Sequence, residues 1–316
     1  MRAVVINRFG GPEVLQVQTV PVPDLGPSDV LIHVEIAGVG EWDPFEREGG
    51  YVQMLGMEPA FPYVLGSEGA GTVGAHGERV SGFKTGERVY GAGFLNPKGG
   101  FYADYAVVDE ALVSHIPGEL TIDQAGVMSG VAITALRGLD DVLAVKPRES
   151  VMVFGASGGI GHVAVQLAKR RGTRVLAVTS GDDGVALVER LGADAWVNGR
   201  SSDVLAAAHA FAAGGLDAVL LTAGGVAAER ALEALRDGGR AAYPNGVHPA
   251  PRERSRVRLT SYNGDPDAEI IGRLNRLIES GRFDVHVART FPLERAADAH
   301  RALDDHYLGK LALRVR

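Results

Sequence analysis

The segment Val151-Met152-Val153-Phe154-Gly155-Ala156-Ser157-Gly158-Gly159-Ile160-Gly161 decides the fold of the chain. An apolar run of strand type leads into a glycine-rich turn, and a segment with helical periodicity, His162 to Arg171, follows at once. Small residues at Ala156, Gly158 and Gly161 let the backbone turn sharply, approach a pyrophosphate and pack a helix closely against a sheet. The pattern predicts a phosphate-binding helix N-terminus, with a plain reversal of the chain as the alternative.

Downstream of this segment, strand-like and helical patterns alternate. Such alternation is typical of an α/β domain with a doubly wound parallel sheet of Rossmann type. A further helical pattern covers residues 122–139, upstream of the glycine-rich turn. The alternation predicts strands at 174–179, 195–198, 217–222 and 239–243, and helices at 184–191, 203–213 and 227–236.

The first third of the chain has a different texture. Short β-branched or alternating runs are separated by turn signals such as Gly10-Gly11-Pro12, which is typical of a barrel or sandwich. The final segment has helical patterns at 268–280 and 293–303 and strand patterns near 285–290 and 311–315, and we expect it to return to this first domain. The predicted domains are a β-rich domain, residues 1–121 with 263–316, and a Rossmann domain, residues 122–262.

Composition narrows the class of protein. The 316 residues are 46% hydrophobic and 22% charged, which is ordinary for a soluble globular protein of about two domains. The net charge of −7 argues against a nucleic-acid partner, because phosphate backbones are bound by basic surfaces. The absence of cysteine excludes disulfides, thiolate nucleophiles and cysteine-ligated zinc. No apolar run is long enough to span a membrane and no signal peptide is evident, so the sequence predicts a cytoplasmic protein.

Several motifs follow one another along the chain in a specific order and spacing. They are Ala37-Gly38-Val39 with Asp43, Leu65 to Gly71, Gly82 to Val89, Gly100 to Tyr105, Gly155 to Gly161, Leu191 to Asp194, and Gly309-Lys310-Leu311. With these motifs the chain resembles the medium-chain dehydrogenase/reductase superfamily, in its zinc-independent quinone oxidoreductase (ζ-crystallin-like) branch, and the resemblance covers essentially the whole chain. It implies a GroES-like catalytic domain, an inserted Rossmann domain that binds NADPH, and a homodimer.

The departures from zinc-dependent relatives predict that no metal is bound. In the zinc-dependent alcohol dehydrogenases of this superfamily, the resemblance implies a cysteine ligand at the position of Gly40 and a histidine ligand at that of Ser67. Neither glycine nor an ordinary serine hydroxyl suits a three-ligand catalytic zinc. His300 and His306 are the only close histidine pair, and without a third converging ligand we expect them to be surface residues.

Candidate substrate residues lie in the first domain. Tyr51 matches the family's active-site tyrosine, so the resemblance implies that its phenol binds the substrate oxygen or relays a proton, the alternative being a tyrosine that packs on a loop. Trp42 is predicted to form an apolar wall for a flat substrate, or else to be a core tryptophan. Phe94 belongs to a loop, 94–98, that we expect to line the substrate pocket together with the loop 46–61. Asp43 and Glu68 are interpreted as a structural polar pair or as cleft residues rather than as general acids.

Cofactor choice depends on the end of the second Rossmann strand, at Thr179 and Ser180. An acidic residue there would hold the ribose of NAD, whereas the neutral Ser180 favours NADPH. The lysine and tyrosine that the resemblance implies nearby are Gly184 and Gly199 here, and the carboxylates of Asp182 and Asp183 oppose a phosphate unless they turn away as helix N-caps. NADPH is therefore the predicted cofactor, with Arg200 as its phosphate partner and NADH as the alternative. The resemblance also implies that Thr134 lies near the nicotinamide. In the glycine-rich turn, the predicted cofactor-binding residues are Ala156, Ser157, Gly158, Gly159, Ile160 and Gly161. After the fourth and fifth strands they are Thr222, Ala223, Gly224, Asn245 and Gly246, for which turn formation is the alternative.

These residues predict hydride transfer from NADPH to a quinone or an α,β-unsaturated carbonyl, a small-molecule electron acceptor. The cofactor would carry the chemistry, and the protein would orient the reactants and exclude water. A zinc-free carbonyl or alcohol dehydrogenase is a second hypothesis. A non-catalytic protein that binds NADPH, in a sensing or crystallin-like role, is a third.

Overall fold

The computed structural model describes every residue from Met1 to Arg316. The chain forms two compact units, Met1–Gly130 with Pro266–Arg316, and Val131–Asp265. The predicted domains, 1–121 with 263–316 and 122–262, divide the chain at nearby positions. None of the helices combines the length and the apolar character that a membrane span requires.

The amino-terminal part of the first unit consists mainly of strands, as predicted. Two short helices, however, occupy residues 42–47 and 50–55, and so cover much of the loop predicted at 46–61. The elements are β1 (Arg2–Ile6), β2 (Gln16–Thr19), β3 (Asp29–Val39), α1 (Trp42–Arg47), α2 (Gly50–Leu55), β4 (Tyr63–Val64), β5 (Glu68–His76), β6 (Arg88–Ala92), β7 (Tyr105–Asp109), β8 (Val113–His115) and α3 (Ile122–Ala125).

The second unit is the predicted Rossmann domain. Its six strands are all parallel and follow the order β11-β10-β9-β12-β13-β14, so the chain reverses its direction of travel between the neighbouring strands β9 and β12. In doubly wound sheets, ligands bind at this switch point, beyond the carboxyl ends of the strands. The elements are α4 (Ser129–Leu136), β9 (Ser150–Phe154), α5 (Gly159–Arg170), β10 (Arg174–Thr179), α6 (Asp182–Arg190), β11 (Ala195–Asn198), α7 (Val204–Phe211), β12 (Leu216–Leu221), α8 (Val226–Ala231), β13 (Leu235–Pro244) and β14 (Arg258–Tyr262).

Three details of this unit differ from the sequence prediction. The helical pattern at 122–139 is divided into α3, α4 and a π-helical stretch at Arg137–Val142. The helix predicted at 227–236 ends early, because Leu235 already begins β13. The edge strand β14 was not among the predicted strands, since its five residues include Arg258, Thr260 and Ser261 rather than an apolar run.

The carboxyl-terminal segment adds two strands to the first unit. Its elements are α9 (Ala268–Ile278), β15 (Val287–Pro292), α10 (Ala296–Arg301) and β16 (Lys310–Arg314). β16 pairs antiparallel with β3, with Leu311 opposite Val39, and β3 also pairs with β5, with Ala37 opposite Gly69. The register therefore brings Lys310 of the tail and Glu68 of β5 to the same end of β3, just before helix α1.

Candidate functional site

The glycine-rich turn joins β9 to α5 as predicted. Gly155 has a φ of +80°, which favours glycine, and α5 begins at Gly159 with Gly158 as its N-cap residue. A Cβ at Gly161 would lie 2.1 Å from the carbonyl oxygen of Gly155, so only glycine allows the first turn of α5 to pack this closely. A Cβ at Gly158 would meet only one atom within 4 Å, at 3.5 Å. The turn is thus tight on its protein side and open at Gly158.

The open side of the turn carries backbone donors. The first N–H groups of a helix have no partner within the helix, and in α5 these belong to Gly159, Ile160 and Gly161. The α5 dipole adds partial positive charge at the same place. Ala156 and Ser157, by contrast, are buried in the turn. The arrangement is suited to binding a phosphate group through the backbone.

The residues predicted after the fourth and fifth strands lie at the same edge of the sheet. Thr222, directly after β12, donates its hydroxyl to the carbonyl oxygens of Phe154 and Gly155, at 2.8 and 3.2 Å, and thus ties the turn to the neighbouring strand. Ala223 and Gly224 follow it, and Gly224 packs against the carbonyl oxygens of His248 and Pro249. Asn245 follows β13, donates its side-chain amide to Asn263 at 2.8 Å, and precedes Gly246 with a φ of +106°.

Thr134 lies on α4, next to the segment that follows β14. Its carbonyl oxygen accepts a hydrogen bond from the Tyr262 hydroxyl at 3.0 Å, and a Cβ at Gly264 would be 1.9 Å from its hydroxyl oxygen. Thr134 is therefore packed against the sheet edge at β14, the last strand on the side of β12 and β13.

The ribose end of the predicted site is formed by the ends of β10 and β11. Thr179 is buried and donates its hydroxyl to the Gly181 carbonyl, while Ser180 is half-buried and makes no side-chain hydrogen bond. The two nearby carboxylates do not act as N-caps, because the N-cap of α6 is Gly181. Asp182 instead accepts a hydrogen bond from the Asn198 amide at 2.8 Å, and Asp183 accepts one from the N–H of Gly184.

Close packing in the fold explains why position 184 is a glycine, which the sequence alone does not show. A Cβ there would lie 2.8 Å from the Ser157 hydroxyl oxygen and 3.0 Å from Cβ of Thr179. The first turn of α6 is therefore pressed against the glycine-rich turn, which leaves no space for a longer side chain. Gly199, after β11, is bonded through its N–H to the Thr179 carbonyl at 2.8 Å.

Arg200 is the cation of this edge. It follows β11, its backbone N–H is bonded to the Asn198 side chain at 3.1 Å, and its exposed guanidinium has no partner within the protein. Because β11 pairs with β10 with Asn198 opposite Thr179, Arg200 and Ser180 both lie just beyond the same end of adjacent strands. An unpaired guanidinium beside a neutral serine suits an anionic group.

In the first unit, Trp42 is enclosed by polar and charged groups rather than by a core. Its indole N–H donates to the Ser67 hydroxyl at 3.0 Å, and the Lys310 ammonium lies 4.5 Å from its ring centroid. A Cβ at Gly40 would be 2.5 Å from the ring. Trp42 thus fills the space between Gly40 and Ser67, and neither of the two alternatives in the sequence prediction describes it fully.

Lys310 is neutralised by Glu68. The two side chains are 3% and 1% exposed and their charged atoms are 3.0 Å apart. The other carboxylate oxygen of Glu68 accepts hydrogen bonds from the Gly130 N–H at 2.7 Å and the Ser129 hydroxyl at 3.2 Å. Glu68 and Asp43 therefore have separate hydrogen-bond partners.

Tyr51 and Phe94, two of the predicted substrate residues, are in contact. The Tyr51 ring packs edge to face against Phe94 at 4.8 Å and against Phe45 at 4.7 Å, and both phenylalanines are more than 40% exposed. The Tyr51 hydroxyl has no hydrogen-bond partner in the protein. Burial, with the charges of Glu46 and Asp43, raises the pKa of Tyr51 to about 12, so its phenol is a hydrogen-bond donor at neutral pH.

His300 is buried, so the prediction that it is a surface residue was wrong, whereas His306 is exposed. The Arg47 guanidinium donates to His300 Nδ1 at 2.9 Å. Because arginine only donates, Nδ1 must accept, and the ring proton is on Nε2, which lies 3.3 Å from the Tyr102 hydroxyl. Tyr102 in turn donates to Asp43 at 2.7 Å. Burial, with the Arg47 charge, lowers the pKa of His300 to about 3, and the ring is neutral.

Two buried carboxyl groups lie one turn apart on α1. Asp43 accepts hydrogen bonds from the Gly40 N–H at 2.9 Å and from Tyr102, and Glu46 accepts one from the Tyr63 hydroxyl at 2.5 Å. Asp43 Oδ1 and Glu46 Oε2 have no partner. Burial raises the pKa of Asp43 to about 6 and that of Glu46 to about 7. The sequence analysis missed Glu46, since a Glu among Arg47 and Glu48 resembles a solvated charge run.

The residues that could hold a metal ion do not converge. No group of three or more His, Asp and Glu side chains has the arrangement of a metal site. At the two positions where the resemblance implies zinc ligands in zinc-dependent enzymes, Gly40 offers no side chain and the Ser67 hydroxyl accepts a hydrogen bond from Trp42. The donor set at this place does not fit a catalytic zinc.

Comparison with known proteins gives matches over both units. The family model of the alcohol dehydrogenase GroES-like domain matches residues 26–118, and that of the zinc-binding dehydrogenase domain matches residues 159–251. A quinone oxidoreductase from Lama guanicoe is 32% identical over 317 residues, with 96% of this chain and 93% of the relative covered.

Solved structures with this fold include enzymes of more than one type. A structure described as an NAD-dependent alcohol dehydrogenase superposes with a TM-score of 0.88 at 29% identity. The structure of mycobacterial Rv1454c complexed with NADPH superposes with a TM-score of 0.84 at 27% identity. Both alignments cover 100% of each chain.

Proposed function

The chain belongs to the medium-chain dehydrogenase/reductase superfamily and is an oxidoreductase similar to the quinone oxidoreductases, and we propose that it transfers hydride from NADPH to a quinone or an α,β-unsaturated carbonyl. The observation that carries this proposal is the Tyr51 phenol, which is protonated and free to donate between two exposed aromatic rings. The homodimer that the resemblance implies stays a prediction.

The nucleotide would be held by the second unit. The N–H groups at the start of α5 and the open face of Gly158 are suited to the pyrophosphate, and Thr222 fixes the neighbouring strand end. When bound, NADPH supplies the hydride. The protein contributes a binding surface built mainly from backbone, which tolerates little change in the size of the turn residues.

Three observations support NADPH rather than NADH. Ser180 carries no charge, the carboxylate of Asp182 is hydrogen-bonded to Asn198, and the Arg200 guanidinium has no other partner. A 2′-phosphate would pair with Arg200, whereas an unmodified ribose gains nothing from it. The similar structure complexed with NADPH agrees with this choice, and the one described as NAD-dependent keeps NADH as the alternative.

The acceptor would meet an aromatic surface. Phe45 and Phe94 both pack against Tyr51 and leave a large part of their rings exposed, which suits a flat conjugated molecule. The Tyr51 hydroxyl would donate to the acceptor oxygen, on which negative charge develops during reduction. Conjugated acceptors need no Lewis acid for this step, in agreement with the poor fit of the Gly40 and Ser67 region to zinc.

The test is a steady-state assay of chelator-treated enzyme with NADPH and a panel of quinones and enones. We expect turnover with at least one of these acceptors and no loss on chelation. The variant Tyr51→Phe should lower kcat about 10²-fold, in the range of a lost proton donor, while NADPH affinity is unchanged. Loss of activity on chelation, or turnover only with secondary alcohols and NADP⁺, would contradict the proposal.

The second candidate function is a zinc-free carbonyl or alcohol dehydrogenase. The similarity to a structure described as an alcohol dehydrogenase favours testing it. Oxidation of a secondary alcohol by the same chelated enzyme would support it. Tight NADPH binding with no turnover on either panel would instead support a non-catalytic role.

A further inference from the structure

We propose that His162 is a positioning residue for nucleotide binding, whose ring holds the Gly158 carbonyl so that the N–H of Gly159 points toward the pyrophosphate of NADPH. This inference rests on the nucleotide site of the function proposed above and adds to it the residue that fixes the backbone there. Because its side chain is fully buried, His162 acts through the backbone and does not itself contact the nucleotide.

His162 is a polar residue in the buried part of α5. Every residue from Gly161 to Ala168 is buried, and only His162 and Gln166 among them have polar side chains. Burial of a polar ring is costly unless its nitrogen atoms are hydrogen-bonded. The ring is therefore held in place by its hydrogen bonds, one of which goes to the glycine-rich turn.

Two donors of His162 meet at one oxygen of the turn. The Nδ1 atom lies 2.9 Å from the carbonyl oxygen of Gly158. A carbonyl oxygen only accepts hydrogen bonds, so Nδ1 carries the hydrogen and donates it. The backbone N–H of His162 donates to the same oxygen at 3.1 Å. A carbonyl oxygen has two lone pairs, and both are used here, so His162 fixes the direction of the Gly158 carbonyl.

The direction of this carbonyl decides where the N–H of Gly159 points, because both belong to one peptide group. The two cis peptide bonds of the chain lie elsewhere, so the bond between Gly158 and Gly159 is trans. In a planar trans peptide the C=O and N–H bonds point in opposite directions. With the carbonyl directed at His162, the N–H of Gly159 is directed out of the amino-terminal end of α5. This N–H has no partner within the helix and faces the position expected for a phosphate.

The turn has no side chain of its own to restrain it at this point. Gly158 and Gly159 are consecutive glycines, and glycine has more backbone freedom to lose than any other residue. Gly158 is the N-cap of α5 and provides no side-chain cap. Thr222 restrains the other end of the turn, where its hydroxyl donates to the Gly155 carbonyl at 3.2 Å. His162 is the matching restraint at Gly158, and a donor already held in its binding direction loses less freedom when a phosphate binds.

The experiment measures the Kd of NADPH and of NADH by fluorescence titration, for the wild type and for His162→Leu. Leucine fills much of the space of the ring but donates no hydrogen bond. We expect the Kd of both nucleotides to rise about five- to tenfold in this variant, as the cost of one misdirected backbone donor. The two Kd values should rise by the same factor, because both nucleotides carry the same pyrophosphate. His162→Met, whose flexible side chain adapts to the space of the ring, is a second donor-free variant with the same expected result.

The variant His162→Gln tests whether the hydrogen bond, rather than the ring, is responsible. One turn further along α5, the Gln166 amide donates to the His162 carbonyl at 3.1 Å. This is the same relation, from a side chain to the carbonyl four positions before it, so a glutamine at position 162 can reach the Gly158 carbonyl. The Kd of both nucleotides should then stay within about twofold of the wild-type values. A purely structural role of the ring would give no such rescue.

Three controls separate positioning from a general loss of structure. Gln166→Leu removes the other buried polar side chain of α5, which has no hydrogen bond to Gly158, so it should lower the temperature of unfolding and leave both Kd values unchanged. His209→Leu, at an exposed histidine of α7 in the same unit, should change neither. Adenosine 2′-monophosphate carries no pyrophosphate, so its affinity should be the same in His162→Leu and in the wild type.

Failure of the inference is distinguishable from failure of the proposed function. If His162→Leu and His162→Met bind NADPH as tightly as the wild type, or if His162→Gln binds it as weakly as they do, the inference is wrong and the proposed function stands. An equal loss of affinity for adenosine 2′-monophosphate would also contradict the inference, because the damage would then extend beyond the pyrophosphate. If the wild type binds neither NADPH nor NADH, the proposed function is itself ruled out.

Discussion

The two candidate functional regions of this protein are built in opposite ways. The turn between β9 and α5 uses backbone N–H groups, small side chains and a close approach of two glycines, and it contains no titratable group. The region around α1 uses buried polar and ionisable groups, namely the Lys310–Glu68 pair, the Arg47–His300–Tyr102–Asp43 chain and Glu46. The first region depends on shape, and the second depends on how charges are neutralised.

This difference teaches which kind of change each region tolerates. A turn that relies on backbone is indifferent to pH but has no space for an added methyl group at Gly161. A region of buried charge tolerates changes of shape at its exposed rings, but removing one partner leaves an ionised group without solvent. Substitutions that change only the size of a side chain, and substitutions that change only its charge, should therefore have different effects in the two regions.

The largest effect is expected from Lys310→Met. The side chains of Lys310 and Glu68 are both almost fully buried, and the substitution leaves the Glu68 carboxylate without its cation. Breaking a buried pair in this way costs about 3–5 kcal/mol in the free energy of unfolding, which urea denaturation would measure.

The double variant Lys310→Met/Glu68→Gln is the matched control. It removes both charges, so it should recover much of the stability that the single variant loses. If both variants were equally unstable, the packing of the lysine stem on Trp42, rather than charge, would be responsible.

A smaller effect is expected from Gly161→Ala in the turn. The added Cβ would lie 2.1 Å from the Gly155 carbonyl oxygen and 2.7 Å from Cα of Ala156, so the turn must open. Overpacking of this kind costs about 1–3 kcal/mol in stability, and the displaced N–H groups should weaken NADPH binding roughly tenfold or more. Thermal unfolding and fluorescence titration with NADPH measure the two effects, which should not depend on pH.

Gly214→Ala provides the comparison for that variant. Gly214 lies in the same unit, is exposed, and has no atom within 4 Å of an added Cβ. We expect no change in affinity there. An unchanged affinity in Gly161→Ala as well would show that the turn does not hold the nucleotide.

The same difference decides how much the sequence could predict. The strand, turn and helix around Gly155 follow from local periodicity and glycine spacing, and the strands at 174–179 and 195–198 coincide with β10 and β11. The parallel direction of the sheet strands follows from the alternation of strands and helices, whereas their order is seen only in the structure. These features depend on interactions between residues that are near in sequence or in regular layers.

The chemistry around α1 depends on contacts that no local pattern encodes. His300 is buried because α10, more than 250 residues further along the chain, brings it to Arg47 at 2.9 Å. Glu46 stands in a run of charged residues that looks solvated, and only the fold buries it and leaves Tyr63 as its single donor. The glycine at position 184 is likewise explained only by its close approach to Ser157, a residue that is distant in sequence. The sequence predicts Tyr51 and Phe94 as substrate residues and names Asp43, but it gives no signal for the buried Glu46.

The smallest effect is expected from Arg200→Gln, which tests the preference for NADPH over NADH most directly. The exposed guanidinium lies beyond β11, beside Ser180, and would pair with the 2′-phosphate of NADPH. Its loss should raise the Kd for NADPH about five- to tenfold, or about 1 kcal/mol, and leave the Kd for NADH unchanged. The control is Arg148→Gln, which changes the net charge equally. Arg148 is exposed and precedes the amino end of β9, whereas Arg200 follows the carboxyl end of β11 in the same parallel sheet. If NADPH and NADH weaken together in Arg200→Gln, or if Arg148→Gln has the same effect, Arg200 acts only through net charge, and the preference for NADPH must come from Ser180 alone.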